Sequence, residues 1–431
     1  MYLESISATP RLAAGAWRLD IRARVRNRSR SRQSREIGAS LPALGIAADI
    51  GAFDLEPGER GEARWEIEAD GAVPWSAESP QLYSLRVALF DDGAIADDMI
   101  ERIGFREVKT RGKKILLNGR PVRLRGYNRH EDHPQFGCAI PVEAMMADLA
   151  LMSDLGCNFI RTCHYPNDMR FLDLCDELGF YVWEETHSRT VDFKHPKFRE
   201  QVAASAREMI EWHGNHPSIL MWGCLNECDS VSPAGREEHK RLIELIRALD
   251  STRPVTFASD KAERDICLDL VDIVSWNTYS GWYWGGPPDI APRLKKYLRW
   301  VHSSASGAKG KPVILSEFGA GGIYGVRQRQ ASKWSEEYQS LVLDECLRTY
   351  LNHPDVSGAA VWQFCDCRIT QGGDRWAKRP RTMNNKGTVD EYRRPKLAYE
   401  TVKKRMLEAR EKWDGLAASA SPPKSKRAKT K

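Results

Sequence analysis

The chain has 431 residues, of which 42% are hydrophobic, 29% charged and 9% aromatic, ordinary globular usage that excludes a disordered, collagen-like or coiled-coil chain and leaves room for two or three domains. No apolar run approaches the ~20 residues needed to span a bilayer as a helix, so no membrane partner is expected. The net charge is +6, yet five positive charges and no acid fall in residues 424–431, so the body is near neutral and 414–431 reads as a solvated, disordered tail with no nucleic-acid partner.

The ten cysteines form no Cys-x-x-Cys pair and no spaced quartet, so neither a zinc site nor a disulfide framework is expected, and no metal or cofactor is assigned. They read as free buried thiols of a reducing compartment. The opening MYLESISATPRL lacks the charged start and apolar core of a signal peptide, and a cytoplasmic location is expected.

From residue 12 to about 110 the pattern has period two. Trp17, Leu19, Ile21, Ala23 and Val25 alternate with Arg18, Asp20, Arg22, Arg24 and Arg26, and Tyr83, Leu85, Val87 and Leu89 alternate likewise. One face is inward and one wet, and Glu56-Pro57-Gly58-Glu59 and Asp91-Asp92-Gly93 supply turns, so residues 1–111 are expected to form a small β-sandwich.

From residue 113 short apolar strands alternate with amphipathic helices, the mark of a parallel sheet. Eight strands are predicted, at 122–127, 159–163, 181–184, 219–225, 255–258, 273–276, 313–316 and 359–364. Helices are predicted at 142–155 and 237–249, with a closing helix over 395–410. Eight repeats over 112–413 imply an α/β fold, a (β/α)8 barrel, preceded by the sandwich.

Active sites of such barrels lie at the C-terminal strand ends. Strand one runs into Asn128, Arg129, His130 and Glu131, strand two into His164, strand three into Glu184 and Glu185, strand four into Asn226 and Glu227, strand six into Asn277 and Tyr279, strand seven into Glu317 and strand eight into Trp362. Two carboxylates facing each other across a barrel mouth suit glycoside hydrolysis, in which one acid protonates the leaving oxygen while the other attacks the anomeric carbon or activates water. Glu227 and Glu317 are those candidates, with Asn226 placed to bond a sugar 2-hydroxyl and Tyr279, Trp282, Tyr283, Trp284 and Trp362 as nearby aromatics. Either glutamate alone also reads as a salt-bridged rim residue; the pair favours catalysis.

The sequence resembles glycoside hydrolase family 2, which includes β-galactosidases, β-glucuronidases and β-mannosidases. The resemblance rests on Ser79-Pro80-x-Leu82-Tyr83, Ile103-Gly104-Phe105-Arg106, Leu117-Asn118-Gly119-Arg120-Pro121-Val122 and Gly126-Tyr127-Asn128-Arg129-His130-Glu131. It continues through Arg161-Thr162-Cys163-His164-Tyr165-Pro166, His216-Pro217-Ser218-Ile219, the run from Trp222 to Glu227, and Ser316-Glu317-Phe318-Gly319. It implies an immunoglobulin-like sandwich and a hydrolase working with retention, Glu227 as acid/base and Glu317 as nucleophile, ~5 to 5.5 Å apart. It further implies that Asn226 meets the 2-hydroxyl, that Tyr279 bonds Glu317, that His130, His164 and Arg161 belong to the substrate site, and that burial and its anionic neighbour raise the pKa of Glu227.

The segment Arg381-Thr382-Met383-Asn384-Asn385-Lys386-Gly387 resembles the stretch with which β-glucuronidases hold the sugar carboxylate, here through Asn384 and Lys386, and Asn277-x-Tyr279 resembles their strand six. A buried carboxylate needs a cation and a donor. A terminal β-D-glucuronide is therefore the expected substrate, with β-galactoside and β-galacturonide as alternatives; Lys386 alternatively pairs with Asp390 or Glu391 inside the protein. Family members carry a jelly-roll domain before the sandwich, and no stretch of this sequence reads as one. The alternative expectation is a weakly active sugar-binding subunit that needs an N-terminal jelly-roll partner, and association into a homo-oligomer is the further expectation.

Overall fold

In this computed structural model, which describes residues 1–369 and 379–419, the alternating N-terminal segments build two antiparallel sheets. Strands β1 (Tyr2–Ala13), β2 (Ala16–Arg26) and β5 (Arg60–Glu68) form one, and β4 (Ile46–Leu55), β3 (Gln33–Leu41), β6 (Tyr83–Asp91) and β7 (Ala94–Ile103) the other. The period-two pattern reads directly as packing: β2 buries Trp17, Leu19, Ile21, Ala23 and Val25, while outward Arg18 pairs with Glu66 and Glu68 of β5. Between β6 and β7, Asp92 and Gly93 both have positive φ (49° and 77°), the two-residue turn whose twist matches a hairpin.

A three-stranded sheet, β8 (Val108–Arg111), β9 (Lys114–Leu117) and β10 (Arg120–Val122), leads into the barrel. It divides the strand expected over 122–127, because Val122 pairs with Ile115 of β9. The first barrel strand is β11 (Leu124–Arg129), followed by β12 (Phe159–Thr162), β13 (Tyr181–Glu185), β14 (Ile219–Asn226), β15 (Val255–Ser259), β16 (Val274–Asn277), β17 (Val313–Phe318) and β18 (Gly358–Val361). They close as an eight-stranded parallel barrel, β18 pairing with β11. The eighth strand ends before the expected residue 364, since the backbone N–H groups of Trp362 and Phe364 bond Phe318 O (2.8 Å) and Asn128 O (3.0 Å), turning the chain across the mouth.

Around the barrel run α1 (Val142–Asp154), α2 (Met169–Leu178), α3 (Phe198–His213), α4 (Pro233–Leu249), α5 (Ile290–Val301), α6 (Glu336–Tyr350) and α7 (Leu397–Ser419). The first residues of the tail expected from 414 belong to α7, which continues to Ser419; Arg123 lies 3.3 Å from the ring of Trp413 on that helix. Residues 420–431, with the basic cluster, lie outside the described residues. The ten cysteines are free, and eight of them are buried.

The lower barrel is covered by Trp75, from the segment between β5 and β6, and by the small β8–β10 sheet. Trp75, fully buried, joins Ile115, Leu117, Leu124, Phe159, Tyr181 and Trp183 in one apolar cluster, and its indole N–H donates to Asp176 O at 2.9 Å. Buried Arg106 donates to Pro217 O (2.9 Å) and Ile219 O (3.1 Å). Trp75→Ala removes a large side chain from a site that cannot collapse; an expected loss of about 3–5 kcal/mol is checked by urea unfolding followed through tryptophan fluorescence.

Candidate active site

The inner face of the barrel mouth is organised by Arg161 on β12, whose side chain is wholly buried. Its Nη1 donates to Asn128 Oδ1 (3.0 Å) and Glu317 Oε1 (2.9 Å). Its Nη2 donates to Glu185 Oε1 and Asn226 Oδ1, both at 2.8 Å, and its Nε to Glu185 Oε2 at 3.0 Å. A guanidinium has five N–H donors, and all five are engaged. Arg161, expected in the substrate site, thus spends its donors on protein acceptors and sets the positions of Asn128, Glu185, Asn226 and Glu317 around it. Burial works against its charge, but Glu185 and Glu317 outweigh it and hold the guanidinium above its ordinary range.

Glu317 lies in β17, 3% exposed. Its second oxygen accepts from Tyr279 Oη at 2.7 Å, so both oxygens are fixed. Burial raises its pKa, and Arg161 and Tyr279 oppose the rise. Glu227 follows β14 directly with φ 53°, a conformation rare outside glycine that recurs at functional sites. Its Oε1 accepts from Asn277 Nδ2 at 3.0 Å, and its pKa is pushed up to about 7, first by burial and then by the Glu317 charge. Asn277 also donates to Asn226 Oδ1 (3.1 Å) and accepts from Ser316 Oγ (2.7 Å). With Asn226 Oδ1 held by Arg161 and Asn277, its buried Nδ2 has no hydrogen-bond partner among the described residues.

The histidines form a wall. His164 stacks on Trp362 at 5.1 Å and 15°, and its Nδ1 lies 2.7 Å from Glu185 Oε1. His130 meets Trp362 edge-on at 5.4 Å and bonds Tyr165 Oη at 3.2 Å. Burial holds both well below the usual histidine range, so both rings are neutral.

The remaining side of the mouth carries Lys386, 2% exposed, with its ammonium 5.2 to 5.9 Å from the rings of Tyr279, Trp282 and Tyr283. Its ammonium donates to Asn384 Oδ1 at 3.4 Å. Internal pairing with Asp390 or Glu391 does not occur, since Asp390 binds Arg394 (2.6 Å) and Glu391 binds Arg381. Lys386 makes no ion pair among the described residues, and burial pulls its pKa well down. Its loop is pinned from behind by the fully buried Asp366–Lys396 pair (2.7 Å): Asp366 Oδ1 accepts from Gly387 N (2.9 Å), and Lys396 Nζ donates to Gly322 O (2.6 Å) and Asn385 O (3.4 Å). Gly387 is required there, because a Cβ would lie 2.2 Å from Asp366 N.

Arg381 does not join this group. A tight turn over Pro380–Thr382 directs it outward to Glu391. Arg379 occupies the position instead, its Nη1 3.4 Å from Asn384 Oδ1 and its Nη2 3.3 Å from Tyr283 Oη. Nothing in the local pattern separates these two arginines. Glu185 is likewise visible in sequence only as a polar strand end. Among the described residues the metal-spaced cluster is Asp173, Asp176 and His216, beside the Trp75 seam rather than the mouth; there His216 Nδ1 is 2.6 Å from Asp176, which also accepts from Ser218 N.

Residues 108–410 match the family described as glycosyl hydrolases family 2, TIM barrel domain, and residues 1–106 match glycosyl hydrolases family 2. A β-glucuronidase of Rattus norvegicus is 32% identical over 340 residues, covering 75% of this chain and 50% of its own; the chain thus spans about half the length of the curated relatives it matches. Among solved structures, a β-galacturonidase from Eisenbergiella tayi bound to galacturonate is 45% identical with a TM-score of 0.88, over 94% of this chain and 72% of that one. A β-D-glucuronidase of Dictyoglomus thermophilum is 26% identical with a TM-score of 0.79, over 94% and 69%. With sandwich and barrel both matched, the chain belongs to glycosyl hydrolases family 2.

Proposed function

We propose that this chain carries the catalytic barrel of a retaining exo-glycosidase that releases terminal β-linked uronic acids, β-D-glucuronides first. The observation that carries the uronide reading is Lys386: a buried ammonium among three aromatic rings, without a counter-ion among the described residues. A buried cation left alone is costly. A sugar carboxylate bonded by Lys386, Asn384 and Arg379 removes that cost through charge-assisted hydrogen bonds. A neutral sugar does not.

In this reading Glu317, oriented by Arg161 and Tyr279, attacks the anomeric carbon as Glu227 passes its proton to the departing oxygen. Asn226 Nδ2 bonds the 2-hydroxyl. Glu227, now a carboxylate, takes a proton from the water that displaces the sugar from Glu317, which returns both residues to their starting states. The raised pKa of Glu227 supports its assignment as the acid. A second reading, β-galacturonide hydrolysis, is favoured by the 45% identity to the Eisenbergiella tayi β-galacturonidase and uses the same clamp.

The deciding assay is hydrolysis of p-nitrophenyl β-D-glucuronide, β-D-galacturonide and β-D-galactoside. Lys386→Ala is expected to lower kcat/KM on the uronides about 10- to 100-fold, the loss of one charge-assisted contact, and to leave the small galactoside rate nearly unchanged. Equal loss on all three would sink the clamp. For the acid/base, Glu227→Gln is expected to lower kcat about 10²- to 10⁴-fold on substrates with poor leaving groups.

The pH profile gives a separate test. Glu227 must be protonated to act as acid, so activity is expected to fall as pH rises through about 7. Since the Glu317 charge holds that pKa up, Glu317→Gln is expected to move the Glu227 titration downward in a carboxyl-labelled NMR experiment.

A further inference from the structure

Three cations of the mouth have roles: Arg161 is saturated by protein acceptors, and Lys386 and Arg379 face the sugar carboxylate. Arg189 is a fourth. It lies in the connection from β13 to α3, and this connection runs alongside the end of β14. Asn226 N donates to Ser188 O and Thr190 N donates to Asn226 O, each at 2.9 Å, so the backbone of Arg189 is bridged to Asn226, the residue before Glu227. Its side chain is exposed, and no hydrogen bond or ion pair holds its guanidinium among the described residues.

The charge of Arg189 nonetheless acts on His130, His164, Glu227 and Glu317, which belong to barrel strands or strand ends one, two, four and seven. The bridge to Asn226 places Arg189 on the rim at the C-terminal end of the barrel, beside the strand that leads into Glu227. It also stands on the opposite side from Lys386, which follows strand eight and packs on the strand-six loop. That opposite side belongs to Glu227, the group that protonates the departing oxygen, and so to the leaving group.

We propose that Arg189 forms a leaving-group subsite for a carboxylate, so that the preferred substrate is an acidic saccharide in which the terminal β-uronide is attached to a second uronic acid. This rests on the uronide-hydrolase reading above. It assigns the two carboxylates of such a substrate to separate cations: the terminal one to Lys386, the next one to Arg189. An exposed guanidinium contributes modestly, by about fivefold at most, and its contribution is screened by salt.

The test compares a β-linked disaccharide of two uronic acids with the same disaccharide whose reducing-end carboxyl has been reduced to the alcohol. The readout is the ratio of their kcat/KM values in one enzyme preparation, which is insensitive to partial misfolding or to a general change at Glu227. Wild-type protein is expected to prefer the diacid by about two- to fivefold, with the preference shrinking at high salt. Arg189→Gln is expected to bring the ratio to about one, and Arg189→Lys to restore part of it. A wild-type ratio near one, or a ratio that Arg189→Gln leaves unchanged, overturns the subsite while uronide turnover itself stands. Absence of turnover on every uronide, by a folded protein, overturns both readings together.

Discussion

The site depends on one side chain, the buried guanidinium of Arg161. Its five donors are spent on acceptors from four strand ends: Asn128 of β11, Glu185 of β13, Asn226 of β14 and Glu317 of β17. A planar fork cannot satisfy four residues from around a ring unless the ring is closed and its strands are in register, so the hub converts barrel closure into fixed side-chain geometry. Each acceptor is thereby oriented without being consumed. Asn226 gives up its oxygen and keeps its Nδ2 free, and Glu317 gives up one oxygen to Arg161 and the other to Tyr279.

The hub also sets the electrostatics. Glu185 and Glu317 share one buried guanidinium, and His164 and His130 are held neutral by burial. Two carboxylates against one buried cation leave the inner mouth short of positive charge beside Glu227. That residue, with Asn277 as its donor, resists ionisation until about neutral pH, whereas Glu317, gripped by Arg161 and Tyr279, has the partners that favour its charged form. The hub alone does not keep a carboxylate charged, since burial lifts Glu185, its bidentate partner, to about 7 as well; Glu317 differs from Glu227 in having both Arg161 and Tyr279 as donors.

Much of this was legible in the sequence because it rests on pattern. Alternation marked the sandwich strands, short apolar runs marked the barrel, and the polar residues just past each run marked the mouth, since a parallel strand must deliver whatever follows it to that end. Three kinds of feature were not legible. Strand ends set by hydrogen bonding rather than polarity, as at Val122 and at Trp362, do not show in an apolar run. The saturation of Arg161 depends on acceptors scattered from residue 128 to residue 317. The exchange of Arg381 for Arg379 depends on the direction of a tight turn at Pro380, which local composition does not encode.

Lys386 shows how the fold can maintain an unfavourable group. Its loop is not free to relax away from its aromatic box, because Gly387 N and Asn385 O are tied to the buried Asp366–Lys396 pair, and that pair is in turn bonded to Gly322. Holding an ammonium in a dry site, close to a second cation at Arg379, lowers the stability of the empty protein. In the proposed reaction the same arrangement discriminates: a carboxylate offsets the desolvation and repulsion of the two cations on binding, whereas a neutral ligand of equal size leaves them in place. Selectivity in the proposed reaction thus comes less from contacts added for the right sugar than from a strain that only a carboxylate relieves.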